Sequence, residues 1–467
     1  MEKGLKIGLE IHQQLKTHKL FCKCQSLIRK DDPDFKVKRE LRPIAGESGE
    51  VDVAALYEKT KGLFYVYEGY NNTTCLVEMD EEPPSKLNPE ALDITLLISK
   101  MLHCSHPNII QVMRKTVVDG SNTSGFQRTV LVGQDGYIDT SLGKVKIRSV
   151  ILEEDSARRV DENPESVTFR LDRLGIPLVE ITTEPDIKTE EQAKEAAEKI
   201  GDILRSTGKV MRGLGTIRQD LNISVKGHDR VELKGVQDLR SIPKILEIEA
   251  QRQLSNLKEE SHVRNVKPDL SSKYLRPMPG AARMYPETDL PLVEIDMKLV
   301  EQLEIPELLE AKEKRFEKMG LSNSLSEQMA YGGDADLFEH LVKSYKKVKP
   351  TIIADIIASA ENYIQKKTNV CYDISDQEYE NVFELLNKDK IAKEAILDIF
   401  AELSKGEKIE TVAKKFEKLT KSQVLTEIKK IKSEHKGVPE GQLIGIAMGK
   451  LRGKAEPQYI LSLIKKK

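Results

Sequence analysis

Residues Lys144 to Asp186 read KVKIRSVILEEDSARRVDENPESVTFRLDRLGIPLVEITTEPD. Val145, Ile147 and Ile151 alternate with Lys146, Arg148 and Val150, which predicts a strand. Every second residue of a strand lies on one face, so Glu153 shares a face with Ile151. Alternation restarts at Val167 to Leu171. A further short strand, Leu178 to Thr182, carries Glu180 between Leu178 and Thr182 on one face, with Val179 and Ile181 on the other. Gly175 and Pro177 bend the chain between these last two strands. Glu153 and Glu180 thus sit on neighbouring strands among apolar residues. An unpaired buried charge is very costly, so each needs a counter-charge. A hard divalent metal would supply it. So would a structural ion pair with Arg158, Arg159, Arg170 or Arg173, all close in sequence. On this stretch alone both readings stay open.

Other strands add to the pattern. In Lys6 to Gln14 (KIGLEIHQQ), Ile7, Leu9 and Ile11 take one face; Gly8, Glu10 and His12 take the other. From Ile217 to Val225, Leu221, Ile223 and Val225 oppose Asp220, Asn222 and Ser224. Val231 to Val236 follows as a partner strand with Glu232 and Lys234 together. For any one strand, polar residues in water are the simpler account. Together, the polar faces carry Glu10, His12, Asp220, Asn222 and Glu232, joined by Glu153 and Glu180. A solvated face would be rich in Lys and Thr. This set is what oxygen-ligated Mg²⁺ requires, and it suits phosphoryl transfer, where the metal bridges phosphate oxygens.

The remaining chain frames that set. Thr73 to Ser85 reads as a strand and an acidic, Pro-capped turn, and Leu87 to Cys104 as a buried helix with His103 at its end. Arg114 and Lys115 precede a small-residue loop, Asp119 to Gly125, of the kind whose N–H groups cradle phosphate oxygens. It lacks the GxxxxGK[ST] pattern of a P-loop. Thr189 to Gly208 is a helix with Thr189 and Gln192 as a capping box. Ser241 and Pro243 start another. Ser255 to Lys273 reads as an exposed connection. Tyr274 to Asp296 follows an irregular, proline-directed path, with Arg276, Arg283 and Glu287 as site candidates or loop staples. From about Met297 long amphipathic stretches replace strand alternation. The expected fold class is α+β: a mostly antiparallel-sheet domain over 1–298, a helical domain over 299–403, and a small helical tail over 404–467.

The 467 residues carry a net charge of −2, yet the charge is uneven. Ala401 to Lys467 holds 16 Lys/Arg against 8 Glu and no Asp, a balance of +8 on an acidic body. A basic tail points to a polyanionic partner; a solvated Lys-rich face is the plain alternative. Lys450, Arg452 and Lys454 lie on a Gly-spaced stretch fit to lie close to a phosphate backbone. The five cysteines are sparse and unpatterned, as expected in a reducing cytosol. Cys22 and Cys24 make half of a zinc site; Cys75 stands far off and alone, so no zinc is expected. No apolar run is long enough to span a membrane, and MEKGLKIGLE lacks a signal-peptide pattern. Neither a GxSxG nor a Cys in a nucleophile's context appears, so no site for releasing nitrogen is evident.

GLEIHQQL (Gly8 to Leu15), LEED (Leu152 to Asp155), IPLVEITTEPD (Ile176 to Asp186), YLRPMPGAARMYPETD (Tyr274 to Asp289) and IAMGKLRGKA (Ile446 to Ala455) occur in order along the chain. Together they resemble the B/E family of tRNA-dependent amidotransferases, its archaeal E branch above all. The resemblance implies a cradle, a helical and a tail domain. It implies ATP-dependent phosphorylation of the side-chain carboxylate of Glu mischarged on tRNA(Gln). Ammonia from a partner, an asparaginase-like D subunit, then displaces phosphate to give Gln-tRNA(Gln). The resemblance further implies a cytoplasmic heterodimer or heterotetramer. The resemblance puts Glu10, His12, Glu153 and Glu180 at Mg²⁺ positions and Asp220 at a second metal position. Arg114 and Lys115 fall in the nucleotide pocket, and Lys450, Arg452 and Lys454 on the tRNA. Two departures stand out. The paired CxC/CxxC motifs of the bacterial B type are reduced to Cys22 and Cys24, and Ser255 to Lys273 replaces the synthetase-like insertion usual in the E branch. The alternatives are the B subunit of a three-subunit enzyme with a glutaminase partner, and a non-catalytic tRNA-binding protein.

Overall fold

The structure is a computed structural model describing residues 4–43, 45, 49–280, 283–435, 437–451 and 453–465. Arg452, Lys466 and Lys467 lie outside the described residues. The chain divides into two compact units, Met1–Glu307 and Leu308–Lys467.

The strands of the first unit are β1 (Lys6–Gln14), β2 (Phe35–Arg39), β3 (Phe64–Gly69), β4 (Ile109–Ile110), β5 (Met113–Thr116), β6 (Phe126–Thr140), β7 (Gly143–Glu154) and β8 (Arg158–Glu162). They continue with β9 (Ser166–Arg170), β10 (Pro177–Thr183), β11 (Ile217–Ser224), β12 (Val231–Val236), β13 (His262–Val266), β14 (Ser272–Pro277), β15 (Met284–Pro286) and β16 (Val293–Glu294). Its helices are α1 (Val53–Lys59), α2 (Pro89–Met101), α3 (Glu190–Ser206), α4 (Ile242–Ser255) and α5 (Met297–Gln302). Ten strands form one sheet in the order β14-β13-β12-β11-β1-β10-β7-β6-β5-β15. Its neighbours are antiparallel except β12 and β13. A second sheet runs β2-β3-β9-β8, and β16 pairs with β4.

Alternation in the sequence becomes two faces of the large sheet. Ile7, Leu9, Ile11, Val179, Ile181, Leu221 and Ile223 are buried against α2, α3 and α4 in one apolar core. Each buried methylene there contributes about 0.8 kcal/mol, so this face sets the register of every strand. The capping side chain of Thr189 accepts from Gln192 N, while Gln192 reaches back to Lys188 N rather than to the cap.

The deciding stretch folds differently from its simple alternation. A register shift between Thr182 and Thr183 brings Ser149 and then Ile147 opposite them. This bulge resets the phase of β7, so Val145 and Ile147 share the core with Val150 and Leu152, not with Ile151. Ile151 and Glu153 keep a common face. Between β7 and β10 the chain leaves the large sheet to form β8 and β9 of the second one. It returns at Gly175, whose φ of +84° is one a side chain would resist. The result is direct pairing of Leu178 with Glu153.

Three further expectations change. Residues 73 to 85 form turns, not a strand; Glu78 accepts from Cys75 N and closes the turn locally. The Ser255 to Lys273 connection contains β13, with His262 and Val263 buried. The stretch from Cys22 to Glu58, charged and irregular by sequence, contains β2 and α1. The second unit is helical and holds two apolar cores: one from Phe316 to Val412, the other from Val424 to Ile464.

Candidate active site

Adjacent residues across antiparallel strands project to the same side of a sheet. His12 on β1 lies between Glu180 on β10 and Arg218 on β11; Glu10 lies between Thr182 and Asp220. Asn222 faces Glu232 on β12. All of these stand on the face opposite the apolar core. There Glu10, His12, Glu180, Arg218, Asp220 and Glu232 line a cavity of about 430 Å³ with Lys115, Glu153, Lys234, Arg230, Arg276 and Arg283.

Two carboxylate clusters result. In the first, ligand atoms of His12, Glu153 and Glu180 lie within 4.8 Å of one another. His12 Nε2 is 3.4 Å from Glu180 Oε2 and 3.8 Å from Glu153 Oε1. Lys115 Nζ donates to Glu153 Oε2 at 2.6 Å and stands 3.6 Å from Glu180 Oε2. In the second, Glu10, Asp220 and Glu232 also lie within 4.8 Å. Lys234 Nζ is 2.6 Å from both Asp220 Oδ2 and Glu232 Oε1. Asn222 Nδ2 donates to Glu10 Oε1 at 3.0 Å.

The counter-charge to Glu153 and Glu180 is therefore a lysine from β5. The four nearby arginines are used elsewhere. Arg158 pairs with Asp172, Arg159 with Glu162 and Arg170 with Glu68; Arg173 donates to the carbonyls of Ser156 and Ala157.

Burial, followed by the charges of Glu232 and Glu180, raises the pKa of Glu10. Burial likewise raises that of Glu153, against the pull of Lys115. For Glu180 burial is outweighed by Lys115, His12 and Arg283, and its carboxyl is held well below the usual range. For His12 burial opposes the charged form, but Glu180, Glu153 and Asp220 together raise its pKa. Burial opposes the ammonium of Lys234 too, but Asp220, Glu232 and Glu10 raise it overall. Such opposed shifts within one cavity are typical of a chemical site.

Arg114 does not join this group. Lys115 faces the cavity; Arg114, the next residue along β5, donates to Glu287 Oε1 at 2.5 Å beneath Phe126 and Tyr285. Glu287, fully buried, also accepts from Arg128 Nε at 2.8 Å and is a staple between loop and sheet. Arg276 and Arg283 reach the cavity, and among the described residues neither they nor Arg230 has an ion-pair partner. The loop from Asp119 to Gly125 contributes Asp119 and Ser121 to the lining. Two of its amides are taken up within the loop: Ser121 N is held by Asp119 Oδ1 and Gly125 N by Asn122 O. The carbonyls of Val118 and Gly120 are tied down by the hydroxyls of Tyr65 and Tyr67. A side chain at Gly120 would strike the Tyr65 ring at 2.1 Å. Sequence reasoning passed over Arg218 and Arg230; Arg218 lies two residues before Asp220 on one strand face, so strand parity alone could have found it.

A separate cluster corrects the reading of the cysteines. Cys75 does not stand alone: ligand atoms of Cys22, Cys24, Cys75 and Glu78 lie within 4.8 Å of one another. Three sulfurs and a carboxylate form a donor set suited to zinc. Cys22 Sγ donates to Glu78 Oε1 at 2.8 Å, and the buried Lys19 Nζ stands 3.4 Å from the same oxygen.

In the second unit Leu443, Ala447 and Leu451 bury one side of helix Glu440–Leu451, while Gly441, Gly445 and Gly449 border open space. Lys450 Nζ is 3.1 Å from Glu434 Oε2.

A ten-stranded sheet carrying two carboxylate clusters in one cation-lined cavity belongs to a recognisable class. The "GatB/GatE catalytic domain" family matches residues 5–301, and the "GatB domain" matches residues 336–467. The chain belongs to the GatB/GatE family of tRNA-dependent amidotransferases. It is 37% identical to the E subunit of glutamyl-tRNA(Gln) amidotransferase from Methanocaldococcus jannaschii, over 99% of this chain and 98% of that protein. The E subunits of Sulfurisphaera tokodaii and Saccharolobus solfataricus are each 34% identical over the same shares. The first of these alignments runs over 620 positions, although this chain has 467 residues. The relative therefore contains sequence that this chain lacks. Among the described residues no helix is long and apolar enough to cross a membrane.

Proposed function

We propose that this chain converts Glu-tRNA(Gln) to Gln-tRNA(Gln), using ATP to activate the side-chain carboxylate and ammonia delivered by a partner subunit. The observation that carries this reading is the convergence of two carboxylate clusters, each with its own lysine, in one cavity of a chain of this family.

The γ-carboxylate oxygen of the esterified glutamate attacks the γ-phosphorus of ATP. The bond to the β-phosphate oxygen breaks, and ADP leaves with the electron pair. Ammonia then attacks the acyl carbon of the mixed anhydride. The bond from carbon to phosphate oxygen breaks, inorganic phosphate takes the electron pair, and nitrogen loses one proton. Little covalent chemistry falls to the protein in phosphoryl transfer, so positioning and charge carry the rate.

The cavity is suited to that task. Lys115, Lys234, Arg230, Arg276 and Arg283 offer cationic donors to a triphosphate. The first cluster holds His12 beside Glu180; burial opposes the charged imidazole, but Glu180, Glu153 and Asp220 raise its pKa overall. Glu153 is buried and Glu10 partly buried, burial disfavours the charge of both, and oxygen-rich sets of this kind fit a hard divalent ion. His12, Glu153 and Glu180 would hold one Mg²⁺ and Glu10, Asp220 and Glu232 a second. Imidazole is a poor direct ligand for this ion, so the carboxylates of Glu153 and Glu180 would be its principal holders. Bound there, the ion supplies neutralisation of the phosphate charge.

The partner is another Gat subunit. An asparaginase-like D subunit fits the relatives' designation as E subunits, in a cytoplasmic heterodimer or heterotetramer. The shorter sequence, without the relatives' additional residues, favours a second reading, a B subunit working with a glutaminase. The tail over 404–467, including Lys450 and Lys454, grips the tRNA body, and the helical domain over 299–403 links it to the cradle.

The test uses purified chain, ATP and Glu-tRNA(Gln). ADP should form only with the charged tRNA, and ammonium salts should yield Gln-tRNA(Gln). Release of ammonia from Asn or Gln by the chain alone, or ADP formation indifferent to Glu-tRNA, would refute the proposal.

A further inference from the structure

The cavity contains a cation that neither carboxylate cluster uses. Arg218 stands directly across β1 from His12, on the same face, and lines the cavity. Lys115 and Lys234 are each shared between two carboxylates of the clusters. Arg218 instead pairs with Asp155: its Nη2 donates to Oδ1 at 2.8 Å. Asp155 is 1% exposed and is itself fixed from several sides. Gln14 Nε2 donates to Oδ2 at 2.7 Å, and Ser156 N donates to Oδ1 at 2.9 Å. The backbone N–H of Asp155 donates to Ile176 O at 2.8 Å, and its carbonyl accepts from Gly175 N at 3.0 Å. Arg173 Nε stands 3.7 Å from Oδ1 while its donors hold the carbonyls of Ser156 and Ala157.

This is an anion locked behind a cation whose other donors have no partner among the described residues. A guanidinium presents its N–H groups in a rigid planar fork. With one nitrogen tied to Asp155, the others are held in place before any ligand arrives. Preorganised donors of this kind stabilise developing charge without reorganising at the moment of reaction. Among the described residues, no buried carboxylate holds Arg230, Arg276 or Arg283 in this way. Arg218 also lies on the row of residues between the two clusters, next to His12 and two residues from Asp220.

We propose that Arg218 is a catalytic residue that binds the phosphoryl group in transit from ATP to the substrate carboxylate, and that Asp155 is its positioning residue. The inference rests on the proposed function. The bond changes are those given there; Arg218 exchanges no proton and donates hydrogen bonds to the non-bridging oxygens of the transferring group. Interactions realised mainly in the transition state act on turnover more than on substrate binding.

Chemical rescue separates this role from a structural one. In Arg218→Ala, Glu-tRNA-dependent ADP formation should fall roughly 100-fold or more, with KM for ATP changed only a few-fold. Added guanidinium chloride at sub-denaturing concentration should restore at least about tenfold of the lost rate, because Asp155 still offers the seat. The double variant Arg218→Ala with Asp155→Asn should not be restored. Arg218→Lys, which retains charge and bulk, should fold and keep its KM for ATP but lose at least about tenfold in turnover, since an ammonium lacks the fork. Wild-type turnover in Arg218→Lys, absence of rescue in Arg218→Ala, or equal rescue in the double variant would each overturn the assignment. A wild-type chain that forms no ADP overturns the proposed function and this inference with it. A wild type that does form ADP, with Arg218→Ala beyond rescue, overturns the Arg218 assignment alone.

Discussion

Replacing Glu153 by Gln should remove activity while leaving stability almost untouched. Lys115 Nζ lies 2.6 Å from Glu153 Oε2, an attraction of about 6 kcal/mol at an effective dielectric of 20. Taken alone, that pair makes Glu153 look like a structural anchor. Three effects act against it. The side chain is almost wholly buried, Glu180 adds like charge within 4.8 Å, and Lys115 can turn to Glu180 at 3.6 Å. The net direction is decided by the raised pKa of Glu153, in which burial is the largest influence. A raised carboxyl pKa means that its charge is less stable in the fold than in water. Removing the charge while keeping shape and a hydrogen-bond acceptor therefore loses no net electrostatic stability, and the change should stay within about 1 kcal/mol of zero. The loss of Glu-tRNA-dependent ADP formation should be at least about 100-fold, as for other preorganised charge-stabilising groups. Urea unfolding midpoints and an ADP assay on the same preparations provide both numbers. Destabilisation above about 3 kcal/mol, the range for breaking a buried ion pair, together with near-normal turnover would refute the reasoning and make Glu153 structural.

Three other outcomes are expected. Hydrogen bonds from Arg114 and Arg128 overcome burial and depress the carboxyl of Glu287. Its contribution is therefore fully present above the unfolded value of about 4.3 and is lost as pH falls through the lower folded value. The stability gap between wild type and Glu287→Gln, read by urea melts from pH 7 downward, should stay constant to about pH 5 and then narrow; a gap that widens on acidification would contradict the sign. Lys19→Met should lower stability by about 3 kcal/mol, because Lys19 Nζ donates to Thr73 O at 2.7 Å and Leu171 O at 3.1 Å beside Glu78; an unchanged unfolding midpoint would contradict it. Lys450→Glu with Lys454→Glu should raise KM for Glu-tRNA and flatten its salt dependence, with KM for ATP unchanged. Equal change in both would speak for loss of structure. Truncation after Gly437 is a poorer test, since Val424, Ile428 and Ile431 would lose the core they share with Leu443 and Leu451.

The chain's local periodicity was enough to find β1, β10, β11 and β12 and to separate Glu10, His12, Glu180 and Asp220 from the apolar face. Period-two alternation is imposed by the backbone of each strand, so it is legible wherever one face is buried. Helix α3 was legible from apolar residues at helical spacing and the Thr189 cap, and α4 from Ser241 and Pro243 at its start, although the Ser241 side chain makes no cap hydrogen bond. The family motifs carried the reading further, to the kind of chemistry, because they name residues that alternation can only place on a face.

Other features depended on contacts distant in sequence. The bulge in β7 is a mismatch with β10, and no residue within β7 announces it. Lys115 reaches Glu153 from a strand 38 residues away, whereas arginines much nearer in sequence are taken up by other partners. Cys75 and Glu78 meet Cys22 and Cys24 because a turn closes where alternation had implied a strand. Asp155 meets Arg218 across 63 residues. The sequence by itself determined the strands β1, β10, β11 and β12, the face each of their residues presents and the family they serve. Only the tertiary structure decided which charges neutralise one another, because a counter-charge is chosen by distance in space and by the cost of burying either partner alone.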